Sequence, residues 1–276
     1  MKRKKRILII CDMIGLTVAF FVFIVPFLFM LVNSLKDRRE ANKLSLSLPE
    51  VFQWGNYRDV LTHNNGIVLT AFKNSLVITF FSVFLLIIIC AMAGYVLQRR
   101  KSRGMNVVNA LIMTGLMVPP AILPTISLMQ SLHVYKTLFG MIMVEVALQI
   151  PFTIMLYRGF MGSIPIELEE AGYIDGCNRF RMFTTVVFPL LRPVTATVII
   201  LNAVTIFNDF TNPLYFLPGA QNSTVQLTLY NFMGQFSSSY NLLFADVIVI
   251  TIPMLILFLI FNKQIVAGMV AGAVKG

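Results

Sequence analysis

Charged residues are scarce in this chain of 276 residues. Asp, Glu, Lys and Arg together make up 12% of it, 57% is apolar, and the mean hydropathy is +0.80. A water-soluble domain carries about 25% charged residues. An ordinary soluble enzyme is therefore disfavoured, and the composition is typical of a protein whose main solvent is the membrane.

Cysteine and histidine are also rare, with three and two residues. The cysteines show no CxxC spacing, so neither a disulfide framework nor a zinc site is supported. His63 and His133 have no second His or acid at ligand or triad spacing. No GxxxxGK[ST] motif is present. We therefore predict no catalytic residue, no metal and no cofactor in this chain, and expect it not to be an enzyme.

Apolar stretches long enough to cross a bilayer recur along the chain, since a spanning helix needs about 20 apolar residues. Six segments meet this length, and they predict an all-α polytopic membrane protein that forms a single domain over residues 1–276. The predicted spans are 7–32, 71–97, 105–129, 138–160, 190–214 and 242–262. The first is too long for a signal-peptide core and lacks a cleavage site, which favours a retained helix. Prolines 119, 120 and 124 interrupt the third, either as a hinge or as static packing.

The net charge of +10 reflects membrane topology better than nucleic-acid binding, because Lys and Arg cluster between the apolar runs. Of the 22 basic residues, 15 fall in alternate segments that include both termini. Positive residues favour the cytoplasmic side. We therefore expect a multi-pass protein of the cytoplasmic membrane with both termini in the cytoplasm and no nucleic acid as partner.

The loop at 161–189 has an organisation of its own. Pro165 suits the first turn of a helix, and the acids at 167, 169 and 170 favour a helix N-terminus. Asp175 and Gly176 form a turn signal, after which apolar residues recur at helical spacing. The pattern predicts helix, tight turn, helix, which is either a docking element or an ordinary amphipathic connector.

This loop resembles the EAA loop of permease subunits in ATP-binding-cassette (ABC) importers. The family pattern is Glu-Ala-Ala, three residues, Gly, nine residues, then Ile-x-Leu-Pro. The matching positions here are Glu170, Ala171, Gly172, Gly176, Val186, Phe188 and Pro189. Gly172, Val186 and Phe188 depart conservatively, and Gly172 loosens a helix by up to about 1 kcal/mol relative to Ala.

A finer resemblance, to the smaller permease of the maltose and multiple-sugar type, covers nearly the whole chain. It is carried by residues 52–57, 72–76, 208–210 and 271–276. The resemblance implies the type I ABC importer permease fold, in which the loop is a cytoplasmic coupling helix docked on an ATPase subunit. The residues that it assigns to ATPase coupling are Glu169, Glu170, Ala171, Gly172, Asp175, Gly176 and Pro189. It also implies that Gly272, Lys275 and Gly276 reach the ATPase interface, although a Gly-rich end is commonly just frayed.

The implied function is that of the membrane subunit of an ATP-driven carbohydrate importer, with an oligosaccharide as the expected cargo. The implied partners are a second related permease, two ATPase subunits that hold MgATP, an extracytoplasmic sugar-binding protein and membrane lipid. A permease for another solute and a secondary transporter remain the alternatives.

Polar residues inside predicted spans are costly and usually face protein or water. We expect them either to line the translocation path, with hydrogen bonds to sugar hydroxyls, or to join helices together. Near the outer end of the fifth span, Asp209 also suits a gate or helix-end role. The candidates are Glu145, Gln149, Asn202, Asn208, Asp209 and Asn212.

Overall fold

A computed structural model describes residues 12–233 and 239–273, and its side chains are described up to residue 260. The described chain is built from helices and turns. The helices are α1 (Asp12–Ser34), α2 (Arg38–Ala41), α3 (Gly55–Arg99), α4 (Arg103–Thr114), α5 (Ile122–Ser131), α6 (Leu138–Met161), α7 (Glu167–Ile174), α8 (Arg179–Leu190), α9 (Arg192–Phe207), α10 (Thr211–Phe216), α11 (Val225–Thr228) and α12 (Tyr240–Ala273). Two short 3₁₀ turns lie at Ala220–Asn222 and Leu229–Phe232.

Four of these helices, α1, α3, α6 and α12, are long and apolar enough to cross a membrane. A fifth is obtained if α8 and α9, which meet at a bend of 74°, are taken as one span. The predicted third span, 105–129, is divided between α4 and α5, which are separated by residues 115–121 around Pro119 and Pro120. The predicted fifth span, 190–214, is divided between α9 and α10.

The chain forms two compact units. Of the described residues, one unit contains those from 12 to Leu69 together with those between Leu227 and Ile252, and the other contains Thr70–Gln226 together with those from Pro253 to 273. α3 begins in the first unit and carries non-helical backbone at His63–Gly66, where Asn64, Asn65 and Gly66 have positive φ. Asn and Gly tolerate this left-handed region best, so the chain turns there before the apolar part of α3 begins.

The core of the second unit brings α3, α6, α8 and α9 together around buried Leu86, Met141, Tyr157, Met182 and Leu191. Gly94 of α3 lies against α6, since a Cβ at this position would stand 2.9 Å from the Cβ of Tyr157. Small residues allow such close approach of helices in membranes. Tyr157 in turn donates its hydroxyl hydrogen to Thr195 Oγ1 of α9 at 3.1 Å.

In the first unit, polar side chains hold the end of α1 to its surroundings. The Asn56 side-chain amide donates to the backbone carbonyls of Ser34 and Lys36, both at 2.8 Å. Its side-chain oxygen Oδ1 accepts from Asn241 of α12. Buried Asp246 accepts from Thr228 Oγ1 at 2.8 Å. These bonds satisfy several of the buried polar groups in this unit, although Asn241 Oδ1 and Asp246 Oδ1 have no hydrogen-bond partner among the described atoms.

Candidate functional site

The 161–189 loop contains the predicted helix, turn and second helix. α7 begins at Glu167 with three acids in its first turn, where they interact favourably with the helix dipole. α8 follows after four residues, and its N-cap Asn178 accepts a hydrogen bond from the backbone N–H of Arg181 at 2.8 Å. The local signals of Pro165, the acids and the Asp175–Gly176 turn therefore predict this element correctly.

The turn itself is a Schellman motif. The N–H of Gly176 donates to the carbonyl of Tyr173, and the N–H of Cys177 donates to the carbonyl of Gly172. Gly176 has φ +80°, a conformation that costs other L-residues energy. These bonds satisfy the last carbonyls of α7 and fix the direction in which α8 leaves.

Glu169 attaches the loop to the end of α3. Its Oε1 accepts from Arg99 Nε at 2.6 Å, its Oε2 accepts from the Tyr95 hydroxyl at 2.9 Å, and the residue is 4% exposed. Arg99 also donates through Nη2 to the carbonyl of Ile164 at 2.9 Å, just before α7. Charge-assisted bonds are the stronger class of hydrogen bond, so this contact holds α7 rigidly to α3.

Gly172 packs against the second half of the loop. A Cβ added here would lie 2.6 Å from Met182 Cε and 3.5 Å from Val186 Cγ2. The end of the Met182 side chain occupies the space that an Ala methyl group would need, so Ala at this position requires Met182 to shift. Met182 is fully buried in the first turn of the π-helical stretch Met182–Val187.

The opposite face of the loop is exposed and rich in apolar groups. Ile174 is 86% exposed and Phe180 is 71% exposed, one on each side of the turn. Glu170, Ala171, Asp175 and Gly176 are exposed on the same element. Apolar side chains grouped on one exposed face mark a candidate surface for contact with another protein.

The predicted coupling residues differ in burial. Glu169 and Gly172 face inward and position the loop, Pro189 is half-buried, and the others are exposed. Sequence reasoning missed Arg99 and Tyr95 as anchors, and Ile174 as the most exposed apolar residue of the loop. Arg99 lies in the basic run 99–101, and from the sequence its charge indicated only that this segment faces the cytoplasm.

The predicted tail contacts fall in a less described part of the chain. Gly272 lies on the backbone of α12, beyond the described side chains, and Lys275 and Gly276 lie outside the described residues.

The polar residues of the predicted spans also differ in burial and in their partners. Asn202 is buried in α9 and exchanges hydrogen bonds with Thr153 of α6 at 3.2 to 3.4 Å. This is the interhelical role that polar groups often have in bundles. Asn208 is exposed beyond the end of α9 and accepts from Gln226, while Asn212 lies within α10. Their spacing of four residues predicts one shared face of the fifth span, and this prediction is wrong, because the helix is interrupted between them.

A carboxylate pair occupies the space between α6 and α10. Buried Glu145 lies close to Asp209 and to the Asn212 side chain. Asp209 Oδ1 accepts from the N–H groups of Thr211 and Asn212, so Asp209 lies just before α10 and pairs two N–H groups of its first turn. Glu145 Oε1 and Asp209 Oδ2 have no hydrogen-bond partner among the described atoms. Gln149, half-buried, lies one turn from Glu145 on α6.

Comparison with known proteins identifies the family to which the chain belongs. Residues 84–270 match the family described as binding-protein-dependent transport system inner membrane component. The chain belongs to this family. It is a permease-type, multi-pass membrane protein, and the loop lies within the matched region.

Sequence relatives match over almost their full length. The multiple sugar-binding transport system permease protein MsmG of Streptococcus mutans is 33% identical over 280 residues, which cover all of both chains. The melibiose/raffinose/stachyose import permease protein MelC of Bacillus subtilis is 33% identical over 261 residues, or 91% of each chain.

Solved structures share the fold. A chain of a bacterial ABC transporter that imports the acidic polysaccharide alginate matches with a TM-score of 0.83 at 21% identity, over 95% of this chain and 97% of the other. A second structure of an alginate ABC transporter, in complex with an alginate pentasaccharide-bound periplasmic protein, matches with a TM-score of 0.71 at 13% identity. It covers 95% of this chain and 94% of the other.

Proposed function

We propose that this chain is a membrane subunit of an ATP-driven carbohydrate importer and that an oligosaccharide is its cargo. The names of relatives that match over nine-tenths or more of both chains support a sugar. The observation that carries the coupling role is the 161–189 loop, an exposed apolar turn held rigidly on α3 by the Arg99–Glu169 ion pair.

The proposed topology has six spans, with α4 and α5 together forming the third and α9 and α10 forming the fifth. Pro119 and Pro120 lie within the first break and Pro213 lies three residues after the second, and non-helical backbone is tolerated inside a membrane where protein surrounds it. The excess of Lys and Arg in alternate segments supports cytoplasmic termini. The 161–189 loop then lies in the cytoplasm.

The proposed partners are a second related permease, two ATPase subunits that bind MgATP, and an extracytoplasmic sugar-binding protein. In this assembly Glu170, Ala171, Asp175 and Gly176, with Ile174 and Phe180, contact an ATPase. Movement of the ATPase pulls α7, and the Arg99–Glu169 bond transmits that movement to α3. The preference of the ATPases for one nucleotide state in their closed form supplies the bias.

The proposed sugar path includes Glu145, Asp209, Asn212 and Gln149, because their polar groups lie inside the bundle and two carboxylate oxygens have no partner among the described atoms. Asn202 has a structural role instead, since Thr153 satisfies its amide. Replacement of Asn212 by Ala is expected to raise the KM for sugar uptake at unchanged expression. Unchanged uptake kinetics would remove Asn212 from the path.

Copurification tests the coupling role. The chain is tagged, extracted gently from its native membrane, and its partners are identified by mass spectrometry for wild type, Glu170→Arg and Asp59→Arg. Asp59 is an exposed acid in the segment between α1 and the apolar part of α3, so its variant is matched in charge change but leaves the loop intact.

We expect a second permease and an ATPase with wild type and Asp59→Arg, and loss of the ATPase alone with Glu170→Arg. Retention of the ATPase by all three would overturn the docking role. A folded wild-type chain without any ATPase would overturn the importer itself in favour of a secondary transporter.

A further inference from the structure

The segment that follows α1 folds around the buried amino group of Lys36. Lys36 Nζ donates to the Ser45 carbonyl at 2.7 Å, to Ser45 Oγ at 3.2 Å and to Ser47 Oγ at 3.4 Å. Leu44, Leu46 and Leu48 alternate with these serines, and all three are exposed. Because the serines bond inward to Lys36, the leucines form an apolar outer face.

Aromatic rings extend this face. Phe52 and Trp54 stack with ring centroids 6.5 Å apart, and Trp54 stacks on Tyr57 at 6.4 Å. Trp54, the only tryptophan of the chain, is 67% exposed. Tyr57 directs its hydroxyl to Ser34 Oγ at 2.7 Å, so the polar end of that ring is satisfied within the protein.

Two bonds place this face at the end of α1. The N–H of Gln53 donates to the carbonyl of Leu35 at 2.8 Å, and the Tyr57 hydroxyl bonds Ser34, the last residue of α1. The most apolar stretch of α1 buries none of its residues against the rest of the described chain. The exposed rings therefore continue the surface of a spanning helix at the depth where that helix leaves the hydrocarbon.

We infer that Leu46, Leu48, Val51, Phe52 and Trp54 form an interfacial anchor that inserts into the lipid headgroup region beside the end of α1. Trp and Tyr concentrate at this depth in membrane proteins, and aliphatic side chains beside them bury hydrocarbon in the interface. Arg38, Arg39 and Lys43 are exposed and lie a few residues before this face in the chain. Their positive charges can bind the phosphates of the lipid headgroups. A sugar-binding surface would need several polar groups beside the rings, whereas most exposed side chains of this face are apolar, the exceptions being Ser47, Glu50 and the indole N–H of Trp54.

Fluorescence of the single tryptophan tests the anchor directly, independently of transport and of the ATPase. The complete transporter is reconstituted into vesicles of phosphatidylcholine that carries bromine either near the glycerol backbone or near the bilayer centre. The Trp54 signal is the difference between wild type and Trp54→Phe, which removes the tryptophans of other subunits from the comparison.

We expect loss of the Trp54 signal with the shallow bromines, a weaker loss with the deep ones, and little quenching by aqueous iodide. A Phe80→Trp change in the Trp54→Phe background is the depth control, because Phe80 is 66% exposed within the apolar part of α3. Its signal should fall most with the deep bromines.

Two results would overturn the anchor. Strong iodide quenching without lipid quenching would place Trp54 in water, and insensitivity to all three quenchers would place it under another protein subunit. Leu48→Glu adds a second measurement, since a charge on the inserted face should weaken shallow quenching of Trp54 while the serines still bond Lys36. Unchanged quenching in that variant would also contradict insertion.

Discussion

Two short segments outside the long helices are each held by one buried charged side chain, and they are held in different ways. Glu169 fixes the 161–189 loop through an ion pair with Arg99 and a bond from Tyr95. Lys36 fixes the segment after α1 through neutral oxygens of Asn33, Ser45 and Ser47. Both attachments use charge-assisted bonds, but loss of Arg99 leaves a second charge, Glu169, buried and unpaired, whereas loss of Lys36 leaves only neutral oxygens. The loop for which we propose force transmission therefore depends more strongly on its attachment.

Among the variants proposed here for the two segments, removal of Arg99 should lower the stability of the protein most. Arg99→Met leaves Glu169 buried without its cation, which is expected to cost about 3 kcal/mol, the lower end for a buried pair because Arg99 is partly exposed. The thermal unfolding temperature in detergent should fall, and so should sugar-stimulated ATPase activity of the complex.

The matched control for that experiment is Arg100→Met, which removes the neighbouring exposed charge. Equal unfolding temperatures for the two variants would show that the ion pair contributes nothing to stability. The double variant Arg99→Met/Glu169→Met should recover part of the stability, because a well-packed apolar pair avoids the unpaired charge.

Removal of the Lys36 ammonium should have a smaller effect. Lys36→Met leaves a set of buried oxygens without their donor, at an expected cost of about 1 to 3 kcal/mol. Lys43→Met, at an exposed position two residues beyond α2, should unfold like wild type. A Lys36→Met protein as stable as its control would mean that water or rearranged side chains replace the ammonium.

The uncharged contact between Asn202 and Thr153 should contribute less to stability than either charged side chain. Asn202→Ala removes the bonds between α9 and Thr153 of α6, for which membrane bundles suggest about 0.6 kcal/mol and at most about 1.7. Asn208→Ala, at an exposed position, is the control for unfolding temperature. If Asn202→Ala lowered the unfolding temperature as much as Arg99→Met, the ion pair would not be the stronger of the two contacts.

The smallest expected effect is a pH dependence. Burial lowers the pKa of Lys36 below its ordinary 10.5, against the attraction of Glu40 and with a contribution from the charge of Lys43. The unfolded chain then binds more protons than the folded one at pH values between the lowered pKa and 10.5, so this residue makes stability rise with pH there. The difference in unfolding temperature between wild type and Lys36→Met should increase across that alkaline window. A difference that stays constant or decreases would contradict the lowered pKa.

Much of the fold could be predicted because its signals are local. Apolar length predicts α1, α3, α6 and α12, and prolines predict the interruption between α4 and α5. The α7 helix and its turn follow from Pro165, the acids and Asp175–Gly176, all within a dozen residues. The positions of Asn208 and Asn212 were less predictable, since the break between α9 and α10 at residues 208–210 places them in different elements.

The sequence by itself determined that this chain is helical, that it is a membrane protein, and that residues 161–189 contain two helices joined by a tight turn. Hydropathy, capping residues and turn residues act over one or two turns of backbone, so these features can be predicted locally. Only the tertiary structure decided that Glu169 faces inward while Glu170 faces solvent, that Gly172 makes room for Met182, and that Thr153 satisfies Asn202. Adjacent acids carry the same local signal, and their roles differ through a partner 70 residues away in the chain, Arg99, which reaches only one of them.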